Sequence, residues 1–192
     1  MIRGSKVILR PFAEGFSEEE LRIQFRWSKD KDVVRWSNMA PSTLTFAEFV
    51  AQLRYQNHTG TSDRQLFAIL TADAGKLIGR IGCFNMDTRN GQAELGVVIG
   101  EKEYWSKGYG RDAVCAVLDY FFSQTSLERI YLYTLKENLR ARRSFAFCGF
   151  EEIAFNTRFS FDGGEYEDVQ MEITRPTWMA RQRKTIQGGM RS

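Results

Sequence analysis

Tyr104-Trp105-Ser106-Lys107-Gly108-Tyr109-Gly110-Arg111-Asp112-Ala113 is the stretch whose residue types and spacing suit one chemistry, the holding of a phosphate. It lies between an apolar strand-like run, Leu95 to Ile99, and an apolar helix-like run, Ala113 to Phe122. Gly108 and Gly110 let the backbone turn tightly and come close to a ligand without interference from a Cβ. The helix start that follows presents unpaired N–H groups and the positive end of its dipole to the same spot. Lys107 and Arg111 add positive charge there. The spacing is not that of a GxxxxGK[ST] nucleoside-triphosphate loop, and Ala113 stands where GxGxxG has its third glycine. A helix start after a tight turn, with both cations solvated, is the plainer reading of the same letters.

The elements that must position this loop follow from the pattern on either side of it. Lys6 to Arg10 alternates and ends at Pro11, which predicts a first strand. Ser17 before Glu18, Glu19 and Glu20 predicts a capped helix through Leu21 and Phe25, and Phe46, Phe49, Val50 and Leu53 predict a second over Thr45 to Tyr55. His58 to Arg64 is polar and reads as a loop. Three strands, Gln65 to Thr71, Lys76 to Met86 and Gln92 to Ile99, are joined by the turn signals Asp73-Ala74-Gly75 and Asn90-Gly91. They form an antiparallel meander that runs into the glycine loop and its helix, whose polar edge is Asp112, Asp119 and Ser123. A strand over Arg129 to Thr134 precedes a helix opened by Asn138 as N-cap and closed by Gly149 as C-cap. Two last strands flank Asp162-Gly163-Gly164 and end near Ile173.

Bulk properties narrow the class. The 192 residues suit one domain with a sizeable core, and 43% hydrophobic with 27% charged residues is ordinary for a globular protein. No run approaches a membrane span and no secretory pattern opens the chain, so a cytoplasmic protein is expected. Cys83, Cys115 and Cys148 are odd in number and widely spaced, and read as buried thiols. With His58 as the one histidine, a histidine-based metal site or triad is not expected. A net charge of +3 is too small to argue for nucleic acid. Part of it lies in Arg181-Gln182-Arg183-Lys184, in a basic tail over 179–192 that reads as disordered beyond a single domain over 1–178.

In order and spacing, the motifs together resemble the GNAT superfamily of acetyl-CoA-dependent N-acetyltransferases. Those motifs are Ala93-Glu94-Leu95-Gly96-Val97-Val98-Ile99, the glycine loop, Asn138-Leu139-Arg140-Ala141 and Cys148-Gly149-Phe150. Asp162-Gly163-Gly164-Glu165-Tyr166 with Asp168 and Met171 is similar to the closing hairpin of its ribosomal-protein N-terminal acetyltransferase branch. Arg26-Trp27, Asp32, Val33 and Trp36 are similar to that branch's N-terminal segment. The resemblance spans roughly Lys6 to Trp178. It implies an α/β (α+β) fold whose mixed, mostly antiparallel sheet splays into a V, with helices on both faces and the cofactor in the V. Acetyl-CoA is the implied cosubstrate, with no metal.

The implied cofactor contacts are the main chain of Val97, Val98 and Ile99 for the pantetheine amides, which can pair like an added strand. The pyrophosphate falls to Ser106, Lys107, Gly108, Tyr109, Gly110 and Arg111, and Asn138 matches a residue touching the cofactor arm. Glu94 matches a position beside the thioester and is the implied general base, since an acceptor ammonium must lose a proton. A solvent-facing strand residue or a buried ion pair is the alternative for Glu94. Phe145 and Ala141 stand where many members place Tyr and Ser hydroxyls, so the general acid is unassigned, with water, Tyr166 or Tyr109 as sources and Ser144 near in sequence.

The partner expected is an amine acceptor, either a protein N-terminus or a small molecule, with no membrane and no specific nucleic acid; a homodimer is left open. Glu14, Glu18, Glu19, Glu20, Asp162, Glu165, Glu167 and Asp168 could draw a cationic acceptor, though a solvated helix face and turn is the plainer reading of most. Two other classes remain. One is an acetyl-CoA-binding module impaired in catalysis, motivated by the missing hydroxyls. The other is a nucleotide-binding enzyme, which the antiparallel meander disfavours.

Overall fold

A computed structural model gives the fold of residues 1–36, 40–58, 63–159 and 164–189. The chain enters through β1 (Ile2–Arg3) and β2 (Val7–Pro11), then forms α1 (Glu18–Lys29), α2 (Lys31–Arg35) and α3 (Phe46–His58). The meander is β3 (Gln65–Thr71), β4 (Leu77–Asp87) and β5 (Gln92–Ile99). The glycine loop leads to α4 (Tyr109–Gln124), followed by β6 (Arg129–Leu135) and α5 (Leu139–Cys148). The chain closes with β7 (Glu151–Phe159), β8 (Glu165–Thr174) and α6 (Arg175–Gly189). Asp162 and Gly163 of the expected last turn, and most of the expected loop after His58, lie outside the described residues.

One sheet runs β1-β2-β3-β4-β5-β6-β8-β7. Every neighbouring pair among the described strands is antiparallel except β5 and β6, which are parallel. That one parallel contact covers only Gln92, Ala93 and Glu94 against Arg129, Ile130 and Tyr131. Past Glu94 the two strands part while β5 continues to Ile99, so the sheet opens into the expected V at the acidic residue.

Each face of the sheet has its own core. One packs Phe67, Ile81, Leu95, Ile130 and Val169 against Val117, Phe121 and Phe122 of α4 and Phe145 of α5. Fully burying a side chain such as Phe121 contributes about 1.5–3 kcal/mol before entropic costs. The other packs Ala68, Leu70 and Leu77 beneath Trp27 of α1 and Phe49 and Leu53 of α3. Polar anchors fix the loops between the layers. Ser17 and Glu20 exchange a reciprocal capping box at the start of α1. Asp30 caps α2 through the N–H groups of Asp32 and Val33, and Lys102 beside it holds its carboxyl below the usual range. Asp112, in the first turn of α4, accepts the N–H groups of Ser5, Lys6 and Val7 at 3.1, 2.7 and 3.1 Å, which ties β2 to the glycine loop.

Two expectations need correction. The segment from 179 onward, expected as a disordered tail, continues α6 as far as Gly189. Trp178 packs at 5.5 Å from the Phe122 ring, and its indole N–H donates to Asp119 at 2.7 Å. Gln182 donates to the same carboxylate at 2.5 Å and Arg181 to the carbonyl of Phe147. The helix docks through one aromatic and polar contacts rather than an apolar stripe, so hydrophobic periodicity could not reveal it. The thiols are also not all isolated and buried: Cys115 is half-buried and meets Cys148 at 3.2 Å where α4 and α5 touch.

Candidate active site

A cleft of about 1130 Å³ occupies the V. Its walls include Glu94, Val97, Val98, Ile99, Ser106, Lys107, Gly108, Gly110, Arg111 and Asn138, residues singled out from the sequence. Tyr109 is the exception: its ring leaves the wall and packs edge-on against Tyr104 at 4.9 Å, within the core beneath α4.

At the loop end the backbone is shaped for an anion. Ser106 and Gly108 both take positive φ, 60° and 86°, and Gly108 is the N-cap of α4. No side chain caps that helix, so its first N–H groups face the cleft without a protein acceptor from a capping side chain. A Cβ built on Gly110 would touch only Ile99, at 3.5 Å, so the space beside the first turn is open. Lys107 and Arg111 are joined on the wall by Arg140 and Arg143, which the sequence reading passed over. Their signal was the i, i+3 spacing that puts both on one side of α5. Arg140 lies 4.3 Å over the ring of Trp105, whose indole donates to the Ile99 carbonyl at 2.7 Å, and burial lowers the pKa of its guanidinium. Arg111 stacks at 4.0 Å on Phe147.

This donor set fits a diphosphate with a further phosphate, the anionic end of coenzyme A. The N-terminus of α4, Ser106 and Gly108 would hold the diphosphate with Lys107 and Arg111. The released edge of β5, Val97 to Ile99, would pair with amides of the arm. Asn138 is buried and caps α5, accepting the Ala141 N–H at 3.2 Å, and it also faces the cleft.

Glu94 stands where the strands part. Its carboxylate is half-buried and accepts a hydrogen bond from the Asn85 side chain at 2.9 Å. Asn85 lies in the irregular stretch of β4 between Phe84 and Asp87 with φ 48°, which turns its amide toward Glu94. Tyr131 is Glu94's partner across the parallel pair; burial raises its phenol pKa, and the nearby Glu94 charge adds to the effect. Glu94 is therefore hydrogen-bonded and solvent-reachable rather than locked in an ion pair among the described residues.

Phe145 is buried against Phe150 at 5.8 Å, as its apolar side chain requires, and it also contributes to the wall with Ala141. Hydroxyl-bearing residues nonetheless line the cleft, among them Tyr133, Thr134, Ser144 and Tyr166. Arg158 lies 4.5 Å over the Tyr133 ring and pairs with the buried Asp168 at 2.6 Å, so Asp168 is neutralised rather than left as a magnet for cations.

Comparison with known proteins agrees with this geometry. Residues 6–151 match the model of the acetyltransferase (GNAT) domain. An uncharacterized N-acetyltransferase, p20, of Bacillus licheniformis is 26% identical over 80% of this chain and 85% of its own length. Spermidine N(1)-acetyltransferase of Vibrio cholerae is 29% identical over 66% of this chain and 73% of its own. The crystal structure of the Vibrio cholerae spermidine N-acetyltransferase with CoA and spermine superposes with a TM-score of 0.77. It covers 91% of this chain and 99% of that one at 23% identity, and so speaks for the fold. These relatives are spermidine and other N-acetyltransferases, which corrects the expected ribosomal-protein branch. The chain belongs to the GNAT acetyltransferase family and is an acetyl-CoA-dependent N-acetyltransferase.

Proposed function

We propose that the protein acetylates a primary amine of a small molecule by direct attack within a ternary complex, with Glu94 as general base. The observation that carries this reading is a cleft with an uncapped, cation-flanked helix start at one end and Glu94 at the point where β5 and β6 part. The small amine is supported by one relative, named for spermidine; another relative is named for tubulin, so a protein acceptor is the reading that the test must separate from it. When bound, acetyl-CoA supplies an activated acetyl thioester. The chain's part is to bind, orient and move protons. Lys107, Arg111 and the first turn of α4 would hold the diphosphate, and the free edge of β5, Val97 to Ile99, would pair with the amides of the arm.

Glu94, aimed by the Asn85 amide, takes the proton that an acceptor ammonium must lose before its nitrogen can attack. The thiolate leaving group takes a proton from a hydroxyl-bearing residue of the wall, with Ser144 and Tyr166 as candidates in place of the hydroxyls missing at Ala141 and Phe145. Holding both reactants in one cleft supplies the proximity part of the rate. The test is thiol release from acetyl-CoA across a panel of small amines and peptide N-termini. Saturable turnover with at least one small amine is expected. Acetyl-CoA binding without turnover of any amine would leave the chain a cofactor-binding module.

A further inference from the structure

Arg10, Ala68, Arg80 and Val98 are successive partners across β2, β3, β4 and β5, so their side chains rise in one row from one face of the sheet. It is the face that carries Glu94, four residues before Val98 on the same strand. Arg10 is answered by Glu20 at 2.8 Å. Arg80 is not answered: among the described residues its guanidinium makes no hydrogen bond and no ion pair. It sits at intermediate exposure beside an apolar core, and burial depresses its pKa. Its donors are not among the buried unsatisfied atoms, so solvent reaches them, and a crowded guanidinium whose donors face water is free to exchange that water for a ligand's acceptor oxygens.

Its neighbours say where the missing partner would come from. Val98, one strand spacing of about 4.8 Å away, lines the cleft. Between the Arg80–Val98 row and the Phe84–Glu94 row stand Gly82 and Gly96, directly paired. An added Cβ there would meet Leu66 Cδ2 and the Phe84 ring, both at 2.7 Å, so those apolar groups lie flat between the base and the cation. The face of the sheet that carries Glu94 thus also carries an apolar floor and, one strand beyond the cleft wall at Val98, a lone guanidinium.

We infer that Arg80 anchors an anionic group of the acceptor, and that the amine acetylated by this protein is accompanied by a carboxylate, as in an amino acid. This deepens the acetyl-transfer reading and rests on it for the acceptor's amine. A planar guanidinium with no competing acid matches a carboxylate in a two-point hydrogen bond, and one positive charge balances one negative charge. A polycation such as spermidine would instead meet repulsion at this position.

The probes are matched pairs that differ in the carboxylate. N-acetyl-L-phenylalanine and N-acetylphenethylamine are titrated by calorimetry into the protein with CoA present; L-phenylalanine and phenethylamine are compared as acceptors by thiol release. The wild type should favour the carboxylated member of each pair by about 10–100-fold, the loss expected for a hydrogen-bonded charge left unpaired. Arg80→Met, which keeps the apolar stem, should bring the ratio close to one, and Arg80→Lys should keep part of it. The thermal shift given by CoA reports that each variant is folded. Equal binding of the two N-acetyl probes, no measurable binding of either, or a preference that survives Arg80→Met would overturn the assignment. Arg80-dependent binding without thiol release from L-phenylalanine would leave the anchor standing and count against acetyl transfer to such an acceptor.

Discussion

Replacing Gly110 by Asp separates the two things the glycine loop can be, a turn or a phosphate cradle. The fold should tolerate the change. A Cβ at this position finds only Ile99 at 3.5 Å, an ordinary contact, and no positive φ is required there. Asp in the first turn of α4 also suits the helix dipole, by about 0.3–1 kcal/mol. The cofactor should not tolerate it. A carboxylate about 4 Å from a phosphate charge costs about 4 kcal/mol at an effective dielectric of 20, or a loss of about 10³-fold in affinity. Calorimetry with CoA and thermal denaturation of the apo protein measure the two halves together, and Gly110→Ala supplies the steric part without the charge. The expected result is an apo melting temperature at or slightly above the wild type, with CoA binding weakened about a thousandfold for Asp and far less for Ala. CoA affinity unchanged by Asp would refute the cradle; an unfolded apo protein would refute the packing argument at Ile99.

Other perturbations follow from the same contacts. Deleting Arg181 to Ser192 removes the donors to Phe147 and one of the two donors to Asp119, and should destabilise the protein by about 1 kcal/mol, read as a lower melting temperature; no change would mean that α6 contributes nothing beyond Trp178. Burial raises the pKa of Asp119 above its ordinary 3.8, so its contribution to stability is present below that value and is lost as pH rises through the folded pKa. Asp119→Asn, which keeps an oxygen for the Trp178 indole, should therefore gain on the wild type in melting temperature as pH climbs out of the acid range. Asn85→Gly suits the φ of 48° but removes the donor to Glu94, so kcat should fall about tenfold with little change in CoA affinity. A wild-type kcat would detach Asn85 from catalysis.

The sequence was most legible where one residue type has one physical use. Ser17, Asn138 and Gly149 announce caps, and all three cap. Gly108 in a strand–turn–helix context announces a tight turn, which it forms in the left-handed region with φ 86°. The Asn90-Gly91 turn and the alternation around it fixed the meander, so the order of strands up to the cleft could be read directly. What could not be read depends on which distant surfaces meet. The docking of α6 rests on Asp119, a residue that looks like a solvated helix edge until Trp178 and Gln182 arrive. Cys115 and Cys148 are distant in sequence and adjacent in space. Arg140 and Arg143 look like exposed helix charges, and only the opening between β5 and β6 makes that side of α5 a wall of the cleft. Arg80 lay unremarked in an apolar strand because the sequence alone does not tell a paired arginine from an unpaired one. Tyr109 shows the opposite case: its ring packs on Tyr104 while its backbone opens the helix at the glycine loop, so only its main chain is left to serve a ligand there.

The central claim is that Glu94, at the point where the sheet opens, removes the acceptor's proton. The pH–rate profile of Glu94→Gln against the wild type, with a turned-over amine, tests it most directly. Gln preserves shape and can still hydrogen-bond with Asn85 but cannot take the proton. The account predicts a fall in kcat of about 10²–10⁴-fold near neutral pH, CoA affinity within about a few fold, and a deficit that shrinks as alkaline pH supplies the free amine. Near-wild-type turnover at neutral pH, or a deficit of the same size at every pH, would contradict it.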